Sequence, residues 1–238
     1  FSFPLSDLLY QIFGCLSTLF ILYHSTITLT ICMLLANCVV FAEETSVTET
    51  SEFAGGTGQE DDPYLVSTPE QLNAVRNHLD ASYIQICDID MTQATAKDGI
   101  YYNDGKGWQP IGGRSTPFTG IYDGGNFSIK GLFCADESDY VGLFGYSNGG
   151  VFRNIKTENC YINATTFGGS IVGYCKGTIE CCGSSNYIVG KGICVGGIVG
   201  EYEGDILSNC YNLGTIIGDG MVGGIAGRCY ASINQCYN

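Results

Sequence analysis

Asp88 and Asp90, with Asp123 further on, are the carboxylates whose spacing invites a chemical reading. Residues two apart on a strand share a face, so Asp88 and Asp90 would stand together. Paired carboxylates can run glycoside hydrolysis or hold a hard cation. Aspartates at turns and strand ends equally well accept backbone N–H groups, and that is the simpler account of all three. In the second half, Glu158, Glu180, Glu201, Glu203, Asp205 and Asp219 share no common phase beyond the neighbours Glu203 and Asp205. The two histidines are His24 and His78. A zinc protease needs His-Glu-x-x-His on a helix, which this chain lacks. A Ser-His-Asp triad would have to recruit His78 without a nucleophile-elbow sequence. No catalytic, cofactor-binding or metal-ligating residue is therefore assigned, no cofactor is expected, and the chain reads as a non-enzyme.

Cysteine is the unusual count, at thirteen. Cys15, Cys32 and Cys38 fall early, and no Cys-x-x-Cys pair follows. Cys175 and Cys229 each lie two residues after a glycine block; Cys210 and Cys236 share a position further along. Free cysteine packs as a small apolar residue, so an interior ladder is the main reading. Cys210 and Cys236 would sit on adjacent units, within the Cα window of a disulfide. Cys175 and Cys229 would be two units apart and unable to bridge. Tyr202, Tyr211, Tyr230 and Tyr237 recur near the same landmarks and read as stacked rings, or else as exposed anchors.

The elements that must carry these residues are set by a repeat. Val-Gly-Leu-Phe-Gly ends at Gly145, Gly-Ser-Ile-Val-Gly at Gly173, Gly-Gly-Ile-Val-Gly at Gly200 and Gly-Gly-Ile-Ala-Gly at Gly227. A period of about 27 residues means stacked supersecondary units. Val151, Ile179, Ile206 and Ile233 then fall at equivalent points as the expected interior column. Units this small bury their apolar faces only by winding into a solenoid, with glycines at the corners, where φ can be positive and backbones crowd. The crossover preference makes the coil right-handed. A propeller blade needs four strands and a longer period. The fold class is thus all-β: a right-handed parallel β-helix of about 27-residue coils, with a short capping helix before it. That helix is announced by Thr68 as N-cap, Pro69 at N1, Glu70 in the first turn and Gln71 closing a capping box, with Leu72, Val75 and Leu79 on one face.

These blocks, with Gly-x-Ile and Asn-Cys-Tyr-Asn after them, resemble the GLUG motif. The stretch Asp62-Pro63-Tyr64-Leu65-Val66-Ser67-Thr68-Pro69-Glu70-Gln71-Leu72 is similar to the segment that often precedes such repeats. So are Asp88-Ile89-Asp90, Trp108-Gln109-Pro110-Ile111-Gly112 and Phe118-Thr119-Gly120-Ile121-Tyr122-Asp123-Gly124. The resemblance covers most of residues 53–238. It implies a right-handed β-helix from a secreted or surface protein of bacteria, either adhesin-like or the non-catalytic part of an immunoglobulin A-specific metallopeptidase. Ser170 interrupts the second block and Cys181-Cys182-Gly183 replaces its tail, so the second coil is expected to be irregular.

The formal net charge is −14 and no basic stripe exists, which argues against a nucleic-acid partner. Acid concentrates in residues 43–140, with 17 acidic against 5 basic side chains; residues 141–238 hold 6 against 5. That acid serves solubility, or else a cation-screened surface. Residues 1–42 carry no Lys or Arg. They end in an apolar stretch, residues 27–41, of signal-peptide length, followed by Ala42. The expected division is a signal peptide or leader over 1–42 and a flexible linker over 43–59. The cap and first coils follow over 60–139, then the repeats over 140–238. Contact with a membrane would come only through an uncleaved leader. The last unit stops inside its tail, so the chain is expected to continue past Asn238. The functional expectation is a secreted or cell-surface adhesive or structural stalk that contacts a host or surface protein or a glycan. Two alternatives stand beside it: the amino-terminal accessory region of a larger secreted metallopeptidase, and a carbohydrate-active β-helix enzyme.

Overall fold

A computed structural model describes residues 51–238; the leader over 1–42 and residues 43–50 of the linker lie outside the described residues. The helix starts where its cap signals place it. The hydroxyl oxygen of Thr68 accepts the Gln71 N–H at 3.2 Å, and the helix runs Pro69–Ala74 before tightening into a 3-10 turn, Val75–Asn77. The Gln71 side chain accepts from the N–H and hydroxyl of Ser67, one residue before the cap. Leu72 and Val75 are fully buried beneath the helix.

Residues 53–59, assigned to the flexible linker from sequence, are instead part of the cap. The Ala54 N–H donates to the Leu65 carbonyl and the Leu65 N–H to the Gly55 carbonyl, and Phe53 is only 3% exposed, its ring 4.4 Å from Tyr64. Burial of one large aromatic, worth about 2–3 kcal/mol, explains why a Gly-bearing stretch lies ordered here.

Behind the cap the chain winds through three parallel sheets. The first stacks Tyr64–Val66, Ser82–Gln85, Ile121–Asp123, Phe144–Arg153, Val172–Glu180, Val199–Tyr202 and Ala226–Cys229. The second is short: Tyr140–Val141, Phe167–Gly168, Cys194–Gly196 and Met221–Gly223. The third stacks Ile89–Asp90, Ser128–Lys130, Lys156–Ala164, Gly183–Gly190 and Tyr211–Asn212. Every ladder is parallel, and registers such as Phe144–Val172–Val199–Ala226 place equivalent residues of successive coils over one another. Neighbouring strands lie about 4.8 Å apart. Leu143, Ile171, Ile198 and Ile225, the third residues of the four glycine blocks, form one buried column.

The detail departs from expectation in places. The interior column further along is Phe152–Ile179–Leu207, all fully buried, with Ile233 in register in the last coil but 44% exposed. Val151 and Ile206 register with Thr178 on the outer side instead, and Ile206 is 43% exposed. The second coil is irregular, as its altered motif leads one to expect: between Cys175 and Thr178 it is one residue shorter than both neighbouring coils. Extra residues lie opposite the steps Lys176–Thr178 and Ser185–Tyr187, in Phe144–Arg153 and Lys156–Ala164. At the second of these bulges Asn159 adopts φ +53°, and the buried Asn186 carboxamide fills the gap. Asn186 accepts the Cys160 N–H at 2.9 Å and donates to Thr157 and Ser184. Finally, the repeat glycines are needed for approach more than for positive φ. A Cβ on Gly200 would meet the Gly173 carbonyl at 2.5 Å, and one on Gly227 would meet the Val195 nitrogen at 2.4 Å.

Positive φ falls on a different column. Asn154, Cys181, Asn209 and Gln235 take φ of +55°, +54°, +54° and +52° at the same corner of successive coils. Asn tolerates this left-handed conformation; other L residues are strained in it by about 1–2 kcal/mol.

The ten described cysteines are free thiols distributed over several columns, not one ladder. Cys182, Cys210 and Cys236 follow one another in register, and the Cys210 N–H donates to the Cys236 sulfur at 3.3 Å. Cys175 and Cys229 are separated by the fully buried Tyr202. Burial pushes the thiols of Cys134, Cys160 and Cys175 from the ordinary value of 9.0 up to about 12.

Two outcomes are expected. The folded chain holds these thiol protons more tightly than the unfolded chain does. Their contribution is therefore intact below pH 9.0 and is lost as pH rises towards about 12. Urea titrations across that window will show falling stability, and in native protein the exposed Cys181 will alkylate while Cys134, Cys160 and Cys175 will not. Rapid native labelling of the buried three, read by peptide mass spectrometry, would refute this. Separately, Cys181→Asn will raise stability by about 1 kcal/mol; an unchanged or lower urea midpoint would contradict the strain assigned to that corner.

Candidate functional site

The aspartates marked in the sequence do not converge. Asp88 accepts the Ser128 N–H at 2.9 Å and the Lys130 ammonium at 2.6 Å; Asp90 accepts the Thr92 N–H at 2.9 Å. Asp123 lies on a different sheet, where it receives Arg153, Asn154 and the Gly125 N–H. All three are held below the usual carboxylate range. The cause is Lys130 for Asp88 and the Thr92 hydrogen bonds for Asp90. For Asp123, burial works upward but is outweighed by the donors around it. A general acid needs a carboxyl still protonated near neutrality, and none of the three is. His78 lies 2.8 Å from Glu52 at the edge of the Phe53–Tyr64 pair, a cap contact.

The tyrosines also divide. Tyr211 stacks on Tyr237 at 5.6 Å, but Tyr202 is interior, its hydroxyl donating to the Gly177 carbonyl at 2.7 Å. Tyr230 is exposed beneath the Arg228 guanidinium.

The arrangement with the richest chemistry lies along the corner where the first and second sheets meet. Each glycine block is flanked by one residue from each sheet. From the second sheet come Tyr140, Phe167, Cys194 and Met221 in register; from the first come Tyr146, Tyr174, Glu201 and Arg228. A side chain on the corner glycine would separate the sheets; without one, the two rows close on each other. Tyr146 and Tyr174 stack at 4.7 Å with planes 4° apart, and Tyr140 and Phe167 at 5.5 Å and 9°. Tyr140 meets Tyr146 edge-on at 5.0 Å, as aromatic quadrupoles prefer. Lys176 lies over Tyr174 and pairs with Glu203 at 3.0 Å.

Further along the rows the rings give way to charge. Glu201 is 3% exposed, and one of its oxygens accepts both the Nε and an Nη proton of Arg228. The Cys194 thiol lies 3.7 Å from that same oxygen, and burial raises its pKa. It is therefore a protonated thiol, not an activated thiolate. Glu203 is held low by Lys176 and by the Tyr174 hydroxyl. The carboxylates of the corner are already tied to cations.

Coil offsets near 27 link Tyr140 to Phe167 and Tyr146 to Tyr174, and also Phe133 to Tyr161 to Tyr187, which stack at 5.4 and 5.9 Å on the third sheet. That periodic signal was present in the sequence but went unread, because these rings flank the glycine blocks outside the motif itself. Two hollows lie nearer the cap. One of about 420 Å³ is bounded by Arg76, Gln109, Asp136 and Tyr140; one of about 570 Å³ is bounded by Gln59, Tyr64, His78 and Asp80. Among the described residues, no three His, Cys, Asp or Glu side chains gather as a metal site. Nor is any helix there long and apolar enough to cross a membrane.

The fold and corner define a parallel β-solenoid built from repeated coils. No family model matches the chain. A crystal structure of a candidate immunoglobulin A1 protease from Bacteroides ovatus is similar, with a TM-score of 0.61 and 27% identity; the match covers 77% of this chain and 58% of that one. A candidate Gly-rich membrane protein of Evansella cellulosilytica is 34% identical over 155 residues, and halomucin of Haloquadratum walsbyi 31% identical over 166. This chain spans 17% and 2%, respectively, of the lengths of those two relatives.

The Arg228 pair offers a direct test. Arg228→Met leaves Glu201 buried without its counterion. A loss of stability is expected, short of that for a fully buried pair because Arg228 is partly solvated. Urea denaturation will read it, and Glu201→Gln in the same background will recover part of the loss. A silent Arg228→Met would mean that solvent already screens the pair.

Proposed function

We propose that this chain is a non-catalytic module of a secreted or cell-surface protein, working as an adhesive or structural stalk. The single observation that carries the reading is how the outer chemistry is used: rings stack along the columns, and Asp88, Asp90, Asp123, Glu201 and Glu203 are each paired or hydrogen-bonded. That leaves, among the described residues, a stack of coils with no side chain poised as acid, base or nucleophile. The GLUG resemblance supports the same reading and implies a bacterial surface setting. The names of the similar proteins, a membrane protein and a halomucin, agree with display outside the cell. The partners we propose are a host or surface protein or a glycan.

One observation favours a second reading, the accessory region of a larger secreted peptidase. The similar Bacteroides ovatus structure is described as a candidate protease, and the match covers 58% of it. In that case the module would present a substrate to a catalytic domain elsewhere in the longer protein.

The full chain, purified after export, should bind mucin-type glycoprotein or epithelial surfaces saturably. It should release no new reducing ends from polysaccharides and should leave immunoglobulin A uncleaved. Polysaccharide turnover abolished by changing Asp88 or Asp90 would overturn the proposal. Cleavage of immunoglobulin A by this chain alone would overturn it as well.

A further inference from the structure

The cations of this acidic chain are unevenly satisfied. Lys106, Lys130, Arg153, Lys176 and Arg228 each pair with a carboxylate. Among the described residues, Arg76 and Arg114 are the arginines without such a pair, and both belong to one place. Arg76 lines the hollow of about 420 Å³, and residues 112, 113 and 116, which flank Arg114, form part of its wall. Arg114 is exposed beside that wall; burial raises the Tyr140 phenol's pKa and the Arg114 charge partly offsets it.

Arg76 is fixed. Its Nε donates to the Asn73 carbonyl at 3.1 Å and to the Asn73 side chain at 2.9 Å; its Nη2 donates to the Gln109 carbonyl at 2.8 Å. The guanidinium lies over the buried Trp108 ring at 5.2 Å. Its Nη1 protons have no acceptor among the described residues. Removal from water without a counter-charge is costly for any ion, and burial lowers the Arg76 pKa accordingly. A rigid guanidinium with a free edge suits a planar carboxylate. The rest of the wall is built for hydroxyl groups and a ring face: Asn77, Gln109, Thr116 and Ser138 are polar, and Tyr140 is aromatic. The one acid on the wall, Asp136, already accepts the Ser138 N–H at 2.7 Å. The volume falls within the range of small-ligand clefts.

We propose that this hollow binds a carboxylate-bearing sugar, a uronate or sialate residue of an acidic glycan. Arg76 pairs with the carboxylate, Arg114 adds attraction from the rim, and Tyr140 packs on the sugar ring. The site deepens the adhesive reading and rests on it for its partner.

The test is calorimetric titration of the full chain with trigalacturonate and with sialyllactose, each against its neutral counterpart, trigalactose and lactose. At least one acidic sugar will bind about tenfold or more tightly than its neutral counterpart, and that preference will shrink with added salt. Which acidic sugar binds tells uronate from sialate. Arg76→Gln and Arg114→Gln will each remove most of the preference, and Arg153→Gln, whose cation is paired elsewhere, will not. Arg76→Gln can loosen the packing on Trp108, so the exposed Arg114 supplies an independent variant, with the melting temperature recorded for both. Equal binding of acidic and neutral sugars, or full affinity in both arginine variants, overturns the inference. Surface adhesion is measured with the same proteins. Adhesion without carboxylate preference sinks this site and leaves the adhesive reading standing; a chain that neither adheres nor binds sugar sinks both.

Discussion

The hydrogen-bonded distance between coils governs everything else in this molecule. Parallel strands lie about 4.8 Å apart, so each residue has a neighbour above and below at that spacing. The chain must supply compatible side chains at every 27th position or so. Aliphatic residues meet aliphatic ones inside, rings meet rings at the corner, and a carboxylate meets a guanidinium at Glu201 and Arg228. The same distance leaves no room for a Cβ at Gly200 or Gly227. Composition follows: glycine where backbones approach, branched apolar residues in the columns, and Asn at two of the four left-handed corners.

Features encoded by local chemistry were the ones legible in the sequence. The helix start depends on Thr68, Pro69 and Gln71, which act within a few residues of each other. The glycine rhythm declares its own period. What escaped reading depended on register. Val151 and Ile206 looked like column residues because they are apolar and equally placed. One extra residue at the bulge, and the two-residue alternation of a strand, moved the interior position to Phe152 and Leu207. A shift of one residue reverses the face of a side chain, and a motif count is blind to it. The corner groove escaped for a related reason: its two rows come from different sheets, and only the fold brings Tyr140 against Tyr146 or Cys194 against Glu201. The Arg76 hollow is harder still, because its wall is drawn from the cap, from the loop carrying Gln109 and from the segment before Tyr140.

Electrostatics in this molecule is local, despite the large negative total. The excess acid lies mostly ahead of the repeats, and where carboxylates approach the coils they find partners: Lys130 for Asp88, Arg153 for Asp123 and Lys176 for Glu203. Each of these joins neighbouring coils, so the pairs act as cross-braces on the outside of the ladder. Exposed pairs of this kind contribute little singly, about 0–1 kcal/mol. Their common orientation along the stack makes them register markers more than sources of stability.

Parallel ladders that run coil to coil have a mechanical consequence. The hydrogen bonds point along the stack, so a pull on the two ends of the described solenoid loads them one coil at a time and not all at once. Each coil that peels away frees about 27 residues, or roughly 90 Å of extended chain, before the next begins to yield. Such a rod would lengthen in steps under load and dissipate work at each, with the bulged first coil, its bonds already interrupted near Gly149 and Asn159, the natural place for a step to begin.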